Sequence, residues 1–390
     1  MANISNTPEL RFRGYTDAWG QKRLGDILVK NDERNKDLAY DNVESVSNKT
    51  GFTKQTEQFD DYSVASADLS KYYVIRERQF AYNPSRINVG SIAYKEKGAE
   101  IGVVSPLYIS FSTQEMLDDR FLWFWFKTYS FDCQRHTLSE GGVRDTLSFD
   151  KIAQMEIKLP SFEEQQEIGQ VLHSLDSLLS LHQRKLSKLQ ETKKSLLQNM
   201  FPAEGEDRPK IRFAGYTDAW GQERLGDVCS FDKGQGYSKE NLVDDGQPII
   251  LYGRMYVQYE SVIHDVDTFV PKGSQGVFSK GNEVIIPASG ETAEDISRAS
   301  FVDKSGVLLG GDLNILTPDG GIDPAFLAME ISSGKVKRDL SSKAQGKTIV
   351  HIHKDDIASL EAGFPSLDEQ RKISSVFLGI DSLLSLHQRN

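Results

Sequence analysis

The stretch PELRFRGYTDAWGQKRLGD, Pro8 to Asp26, returns as PKIRFAGYTDAWGQERLGD, Pro209 to Asp227, with 15 of 19 positions identical at an offset of 201. A second pair follows the same plan. LPSFEEQQEIGQVLHSLDSLLSLHQR, Leu159 to Arg184, is matched by FPSLDEQRKISSVFLGIDSLLSLHQR, Phe364 to Arg389, with 15 of 26 identities at an offset of 205. The later offset also aligns residues 117–122 with 322–327 and residues 150–152 with 355–357. Between these constant ends lie bodies of roughly 130 residues that scarcely match. Internal repetition decides architecture before any single motif does, and here it describes one scaffold carrying two different heads.

The closing segments read as helices. Ser161 can cap, and Glu163 and Glu164 place acids in a first turn, where the helix dipole favours them. From there Ile168, Leu172, Leu175, Leu179, His182, Leu186, Leu189, Lys193, Leu196 and Met200 alternate spacings of four and three, the signature of a heptad seam. A helix over residues 161–200 would run about 60 Å, longer than a small domain buries and suited to a spacer. Ile373, Phe377, Ile380, Leu384 and His387 repeat the seam, so the two helices are expected to pack on each other, antiparallel. The second is expected to fall sixteen residues short of its twin. Ordinary packing of each helix on its own globular domain is the competing reading of these leucines.

The fold class expected is α+β: two mixed α/β domains separated by two long helices forming an antiparallel coiled coil. The boundaries read as a first domain over 1–158, the central helix and linker over 159–203, a second domain over 204–363 and the distal helix over 364–390. Strands are expected at residues 72–75, 103–104, 107–111, 249–252, 283–286 and 314–316. Residues 121–126, rich in Phe and Trp, are expected to open a helix that buries its aromatic rings as core, with base stacking as the lesser reading.

Composition narrows the classes further. Of 390 residues only two are cysteine, Cys133 and Cys229, at non-equivalent repeat positions, so reduced core thiols are expected and no disulfide framework. No apolar run reaches membrane-spanning length and residues 1–6 do not resemble a signal peptide, so the expected location is the cytoplasm. The net charge of −11 argues against a uniform polyanion binder, although a basic groove on an acidic protein remains compatible with it.

Candidate contacts sit in the loops. Asn83, Ser85, Arg86 and Asn88 combine turn formers with side chains able to address base edges. Arg135 and Arg144 lie ahead of the first closing helix, and Lys343, Gln345, Lys347 and Thr348 occupy the matching place in the second body; Arg254 joins them as a further basic candidate. Solvated surface loops are the plain alternative. Catalytic readings fail on inspection. Residues 341–348 lack the first glycine of a phosphate loop and run into β-like sequence. His351 and His353 have no third ligand nearby in sequence, and residues 83–86 lack the second proline and aromatic of an adenine-methyltransferase motif. Neither a metal nor a catalytic constellation is expected.

The duplicated plan, with Gly-Tyr-Thr-Asp-Ala-Trp and Arg-Leu-Gly-Asp at each opening and Pro-Ser-x-x-Glu-Gln and Asp-Ser-Leu-Leu-Ser-Leu-His-Gln-Arg at each close, resembles the specificity subunit of type I restriction-modification systems. The bodies resemble its target-recognition domains at residues 310–315 and 345–348. That resemblance implies a non-catalytic subunit in which each domain reads half of a split site in double-stranded DNA and the helices fix the gap. It also implies two modification subunits that bind S-adenosylmethionine, and ATP-dependent restriction subunits, with no cofactor on this chain. A truncated or silent copy acting only as a protein scaffold is the rival reading.

Overall fold

The computed structural model describes residues 8–48, 50–55, 68–139, 146–346 and 349–388. The chain forms two compact units, residues 1–180 and 181–390, and the division falls inside the longest helix.

In the first unit the strands are β1 (Gly20–Arg23), β2 (Leu28–Lys30), β3 (Val43–Ser47), β4 (Gly51–Lys54), β5 (Tyr73–Ile75), β6 (Gln79–Tyr82), β7 (Ile92–Tyr94), β8 (Gly102–Val104), β9 (Ile109–Thr113) and β10 (Glu156–Leu159). Helices α1 (Asp119–Trp125), α2 (Tyr129–Leu138), α3 (Phe149–Gln154) and the first half of α4 (Phe162–Asn199) complete it. One sheet has the order β2-β9-β6-β7 and the other β4-β3-β8-β5, with β3 and β8 parallel. Phe80, Tyr82 and Phe111 are fully buried and pack with Phe121, Leu122, Trp125 and Phe126 of the α1 region, so most of the aromatic run is core, while Trp123 and Phe124 are half-buried.

The second unit carries β11 (Gly221–Arg224), α5 (Leu225–Val228), β12 (Cys229–Lys233), β13 (Gln247–Ile250), α6 (Arg254–Val257), β14 (Val262–Ile263), β15 (Phe269–Val270), β16 (Val277–Lys280), β17 (Glu283–Pro287), β18 (Ser289–Gly290) and α7 (Ala293–Ile296). There follow β19 (Ser300–Val302), β20 (Ser305–Leu309), β21 (Leu313–Pro318), α8 (Pro324–Ile331), α9 (Gly334–Lys343), β22 (Val350–His351), α10 (Lys354–Ala358), β23 (Glu361–Phe364) and α11 (Leu367–Gln388). Its sheets run β12-β21-β17-β19-β14 and β15-β13-β20-β16, with β13 and β20 parallel. The two bodies therefore share a strand order, β2-β9-β6-β7 against β12-β21-β17-β19, although their sequences scarcely match.

Why the ends of each repeat are constant is visible in the pairing. The leading segment supplies β1, which lies antiparallel to β10 from Gly20↔Leu159 to Arg23↔Glu156; β11 and β23 repeat this from Gly221↔Phe364 to Arg224↔Glu361. The turn after each strand closes on the next element: Leu24 N donates to Met155 O at 2.9 Å, and Leu225 N to Leu360 O at 2.9 Å. A Cβ on Gly25 would stand 2.9 Å from Ala153 O, and one on Gly226 3.0 Å from Ala358 O, so only glycine admits this approach. Arg11 clasps the fully buried Glu164 with two bonds of 2.7 Å, and Arg212 clasps Glu369 with bonds of 2.7 and 2.8 Å. Planar, two-point pairing of this kind is what a buried carboxylate needs to offset its lost hydration.

The helix start read from sequence at Ser161 holds, since Glu164 N donates to Ser161 Oγ; the structure adds Asp118 and Asp323 as the caps of α1 and α8. In the second unit α4 and α11 run antiparallel. His182 and His387 face each other with ring centroids 5.6 Å apart, Lys193 Nζ meets Asp381 Oδ1 at 2.5 Å, and Met200 and Phe201 enter the core beside Ile373 and Phe377. Along this pair Leu186, Leu189, Ile380 and Leu384 are partly buried. In the first unit Ile168 and Leu172 are partly buried, whereas Leu175 and Leu179 are 50% and 60% exposed, so the seam is open there. One cysteine also departs from expectation. Cys229 is buried, its thiol pushed up to about 12 by desolvation, but Cys133 is exposed, because its face of α2 looks outward rather than into the core.

Candidate nucleic-acid interface

Strand β6 of the first unit ends in the turn that holds Asn83, Ser85, Arg86 and Asn88. The turn is rigid for local reasons. Asn83 Oδ1 accepts from Ser85 N at 3.0 Å, Asn83 O from Arg86 N at 3.0 Å, and Arg86 O from Ser91 N at 3.1 Å. Ile87 is buried as an anchor and Gly90, at φ +83°, ends the turn. Ser85, Arg86 and Asn88 are left exposed, while Asn83 is half-buried and spent on the turn itself. Tyr82 OH donates to Leu147 O at 3.0 Å and Leu147 N to Pro84 O at 3.1 Å, which ties this turn to the segment ahead of α3. Arg144 lies outside the described residues.

The second unit builds the same junction from different residues. After β17, β18 pairs with β22 at Ser289↔His351 and Gly290↔Val350, and Gln345 exchanges both backbone bonds with His351 at 3.0 and 2.8 Å. Gly346 has no room for a side chain, since its Cβ would stand 1.9 Å from Ile349 O. Lys343 is half-buried at the end of α9 and Gln345 is exposed; Lys347 and Thr348 lie outside the described residues. Beside this hairpin is a recess of about 590 Å³ lined by Lys233, His351, His353 and Lys354 together with Asn314, Asp232, Asp312 and Asp355. Lys233, His353 and Lys354 escaped the sequence reading as contacts because they come from separated segments that only β12, β21 and α10 bring together.

Two arginines of the sequence reading are committed elsewhere. Arg135 is buried, with its guanidinium on Asp132 Oδ1 at 2.6 and 2.9 Å. Arg254 is 8% exposed in its side chain and pairs with Asp267 at 2.6 Å and Glu260 at 2.9 Å. Guanidiniums held this way are occupied by their own unit and brace it. Among the described residues no group of three His, Cys, Asp or Glu is placed to hold a metal ion, and no helix is long and apolar enough to cross a membrane.

Two copies of one frame, each with exposed polar side chains where a turn meets the segment before the closing helix, define an internally duplicated, two-unit protein. Comparison with known sequences gives that class its family. The family described as the type I restriction modification DNA specificity domain matches twice, at residues 16–191 and 217–390. The chain belongs to that family. It is 21% identical over 95% of its length, and 88% of the relative's, to a protein described as the putative type I restriction enzyme MjaX specificity subunit of Methanocaldococcus jannaschii. Its fold is similar to the crystal structure of the type I restriction-modification system S subunit from M. genitalium, with a TM-score of 0.57 at 13% identity, covering 99% of this chain and 94% of that one. The chain is thus a specificity subunit that recognises DNA sequence, with catalysis left to other subunits of such a complex. Nothing in these relationships favours the scaffold-only alternative.

Proposed function

We propose that each unit reads one half of a split site in double-stranded DNA through the junctions just described. Ser85, Arg86 and Asn88 serve the first half-site; Lys343 and Gln345, with Lys233, His353 and Lys354 of the adjoining recess, serve the second. The observation that carries this reading is the recurrence of one junction in two frames whose constant parts are nearly identical and whose presented side chains differ. A scaffold that needed two equivalent docking faces would keep those side chains alike. Arginine and asparagine offer the two-point hydrogen bonding that distinguishes guanine and adenine in the major groove. The helices form a coiled coil that sets the spacing between half-sites and docks two modification subunits, which carry S-adenosylmethionine and methylate adenine; ATP-dependent restriction subunits join them. This chain holds no cofactor, and the assembly works in the cytoplasm.

The test replaces Arg86 by alanine and selects preferred sequences from a random DNA library with the assembled complex. Loss of discrimination at positions of one half-site, by about 1–3 kcal/mol, with the other half-site unchanged, is the expected outcome. A uniform loss of affinity with a shallower salt dependence would assign Arg86 to phosphate instead, and no change at either half-site would remove it from the interface.

A further inference from the structure

Two turns of the second unit meet beside the recess. One leaves β12 through residues 233–237, Lys-Gly-Gln-Gly-Tyr; the other joins β20 to β21 through residues 310–312, Gly-Gly-Asp. Their backbones touch. Gly234 N donates to Leu313 O at 2.9 Å, Gln235 N to Leu309 O at 3.2 Å and Gly311 N to Gly236 O at 2.8 Å. A Cβ on Gly234 would stand 1.9 Å from Gly310 O, so a side chain has no place there. Tyr237 and Asp312 carry side chains at φ +57° and +59°, left-handed backbone that persists only where the surroundings impose it. The turns are also tied to the junction: Asp312 O accepts from Ala288 N at 2.7 Å, Ala288 O from Ile352 N at 3.0 Å, and Asn314 Nδ2 donates to Ile352 O at 3.2 Å. Lys233 and Asp312 line the recess itself.

We infer that Gln235, at the centre of this backbone-locked pair of turns, is a specificity-determining residue of the second half-site and selects adenine. Gln235 is exposed, and no hydrogen bond among the described residues takes up its amide. Other glutamines of the unit are spent at home: Gln247 Nε2 donates to Gly306 O at 2.7 Å and Gln275 Nε2 to Gly273 O at 3.0 Å. A primary amide offers a donor and an acceptor side by side, the complement of adenine N7 and N6 in the major groove. Because the backbone beneath it is already fixed, contact with a base would order the side chain alone. The first unit builds the same turn after β2 and uses it internally. Asn31 N donates to Ser110 O at 2.8 Å, as Gly234 N does to Leu313 O, but Asn31 Nδ2 also holds Val74 O at 2.8 Å and Ser110 Oγ at 3.1 Å. Glu33 pairs with Arg76 at 2.6 Å, and the Arg34 guanidinium lies 3.6 Å over the Tyr73 ring. The role therefore belongs to the second unit. It rests on the reading that the junction meets DNA.

The test selects preferred sequences from a random DNA library with the assembled complex carrying Gln235→Ala, Gln235→Glu or Lys354→Ala. In Gln235→Ala the preference for adenine at one position of the second half-site should fall about tenfold, with the first half-site unchanged. In Gln235→Glu a carboxylate that only accepts should move that same position toward cytosine, whose N4 donates. A side chain that merely supported the loop would produce no such exchange of bases. Lys354→Ala separates the two levels of the argument. If it weakens binding or relaxes the second half-site while both Gln235 variants leave every base preference unchanged, the inference falls and the junction reading stands. A uniform loss of affinity in the Gln235 variants, with no base exchanged, would overturn it by assigning the side chain to phosphate. Loss of preference at a base other than adenine would overturn it as well. If none of the three variants changes affinity or base preference, the junction reading falls with it.

Discussion

Glu330 shows how much a single buried group can set. It lies in α8, 7% exposed, and its Oε1 accepts from Gly363 N at 3.2 Å, while burial lifts its carboxyl from the ordinary 4.5 to about 7, opposed by that bond and by Lys335. A raised acid binds its proton more tightly when folded than when unfolded. Its contribution is therefore most favourable below about pH 4.5 and is lost as pH rises toward 7, after which it is constant. Glu330→Gln keeps the acceptor and removes the titration. The second unit of that variant should show a flatter stability profile between pH 5 and 7 and gain about 2–3 kcal/mol at pH 8 in urea unfolding. An unchanged profile would mean that Glu330 titrates as an ordinary carboxyl. None of this was legible in sequence, where Glu330 is one acid among 57 in the chain's Asp and Glu total.

Among the elements, the clamp between leading and closing segments was half legible. Repetition identified both segments, but nothing in them announced that Gly20–Arg23 pairs with Glu156–Leu159, a contact across more than 130 residues. The α4 and α11 helices were readable because a helix satisfies its own backbone and leaves a local 3.6-residue pattern. Strands of three or four residues, such as β6 and β7, leave little pattern, and their partners are remote, so the shared strand order of the bodies could not be seen. Loop candidates divided by burial: an exposed Arg86 and a buried, paired Arg254 look alike as letters. The clamp itself is testable. Gly25→Ala and Gly226→Ala each drive a Cβ to about 3 Å from a backbone carbonyl and should cost about 1–3 kcal/mol in denaturant melts. Gly320→Ala, with nothing within 4 Å, should stay within about 0.5 kcal/mol. Equal effects at all three would detach the glycines from the close approach and leave only their backbone freedom.

For the molecule as a whole, a net charge of −11 and DNA recognition are compatible because net charge is a sum over the whole surface, whereas contacts such as Arg86, Lys233 and Lys354 act locally. In the proposed reading the duplicated frame would give each half-site the same mounting, and the divergent bodies would give each its own reader. Mapping methylated adenines in a host genome, with this chain co-expressed beside a modification subunit of the same system, tests that claim most directly. A split motif that appears only with the chain, and whose one half alone changes in Arg86→Ala, is the result expected. A motif whose two halves are identical, or one in which both halves change together, would contradict the assignment of one half-site to each unit.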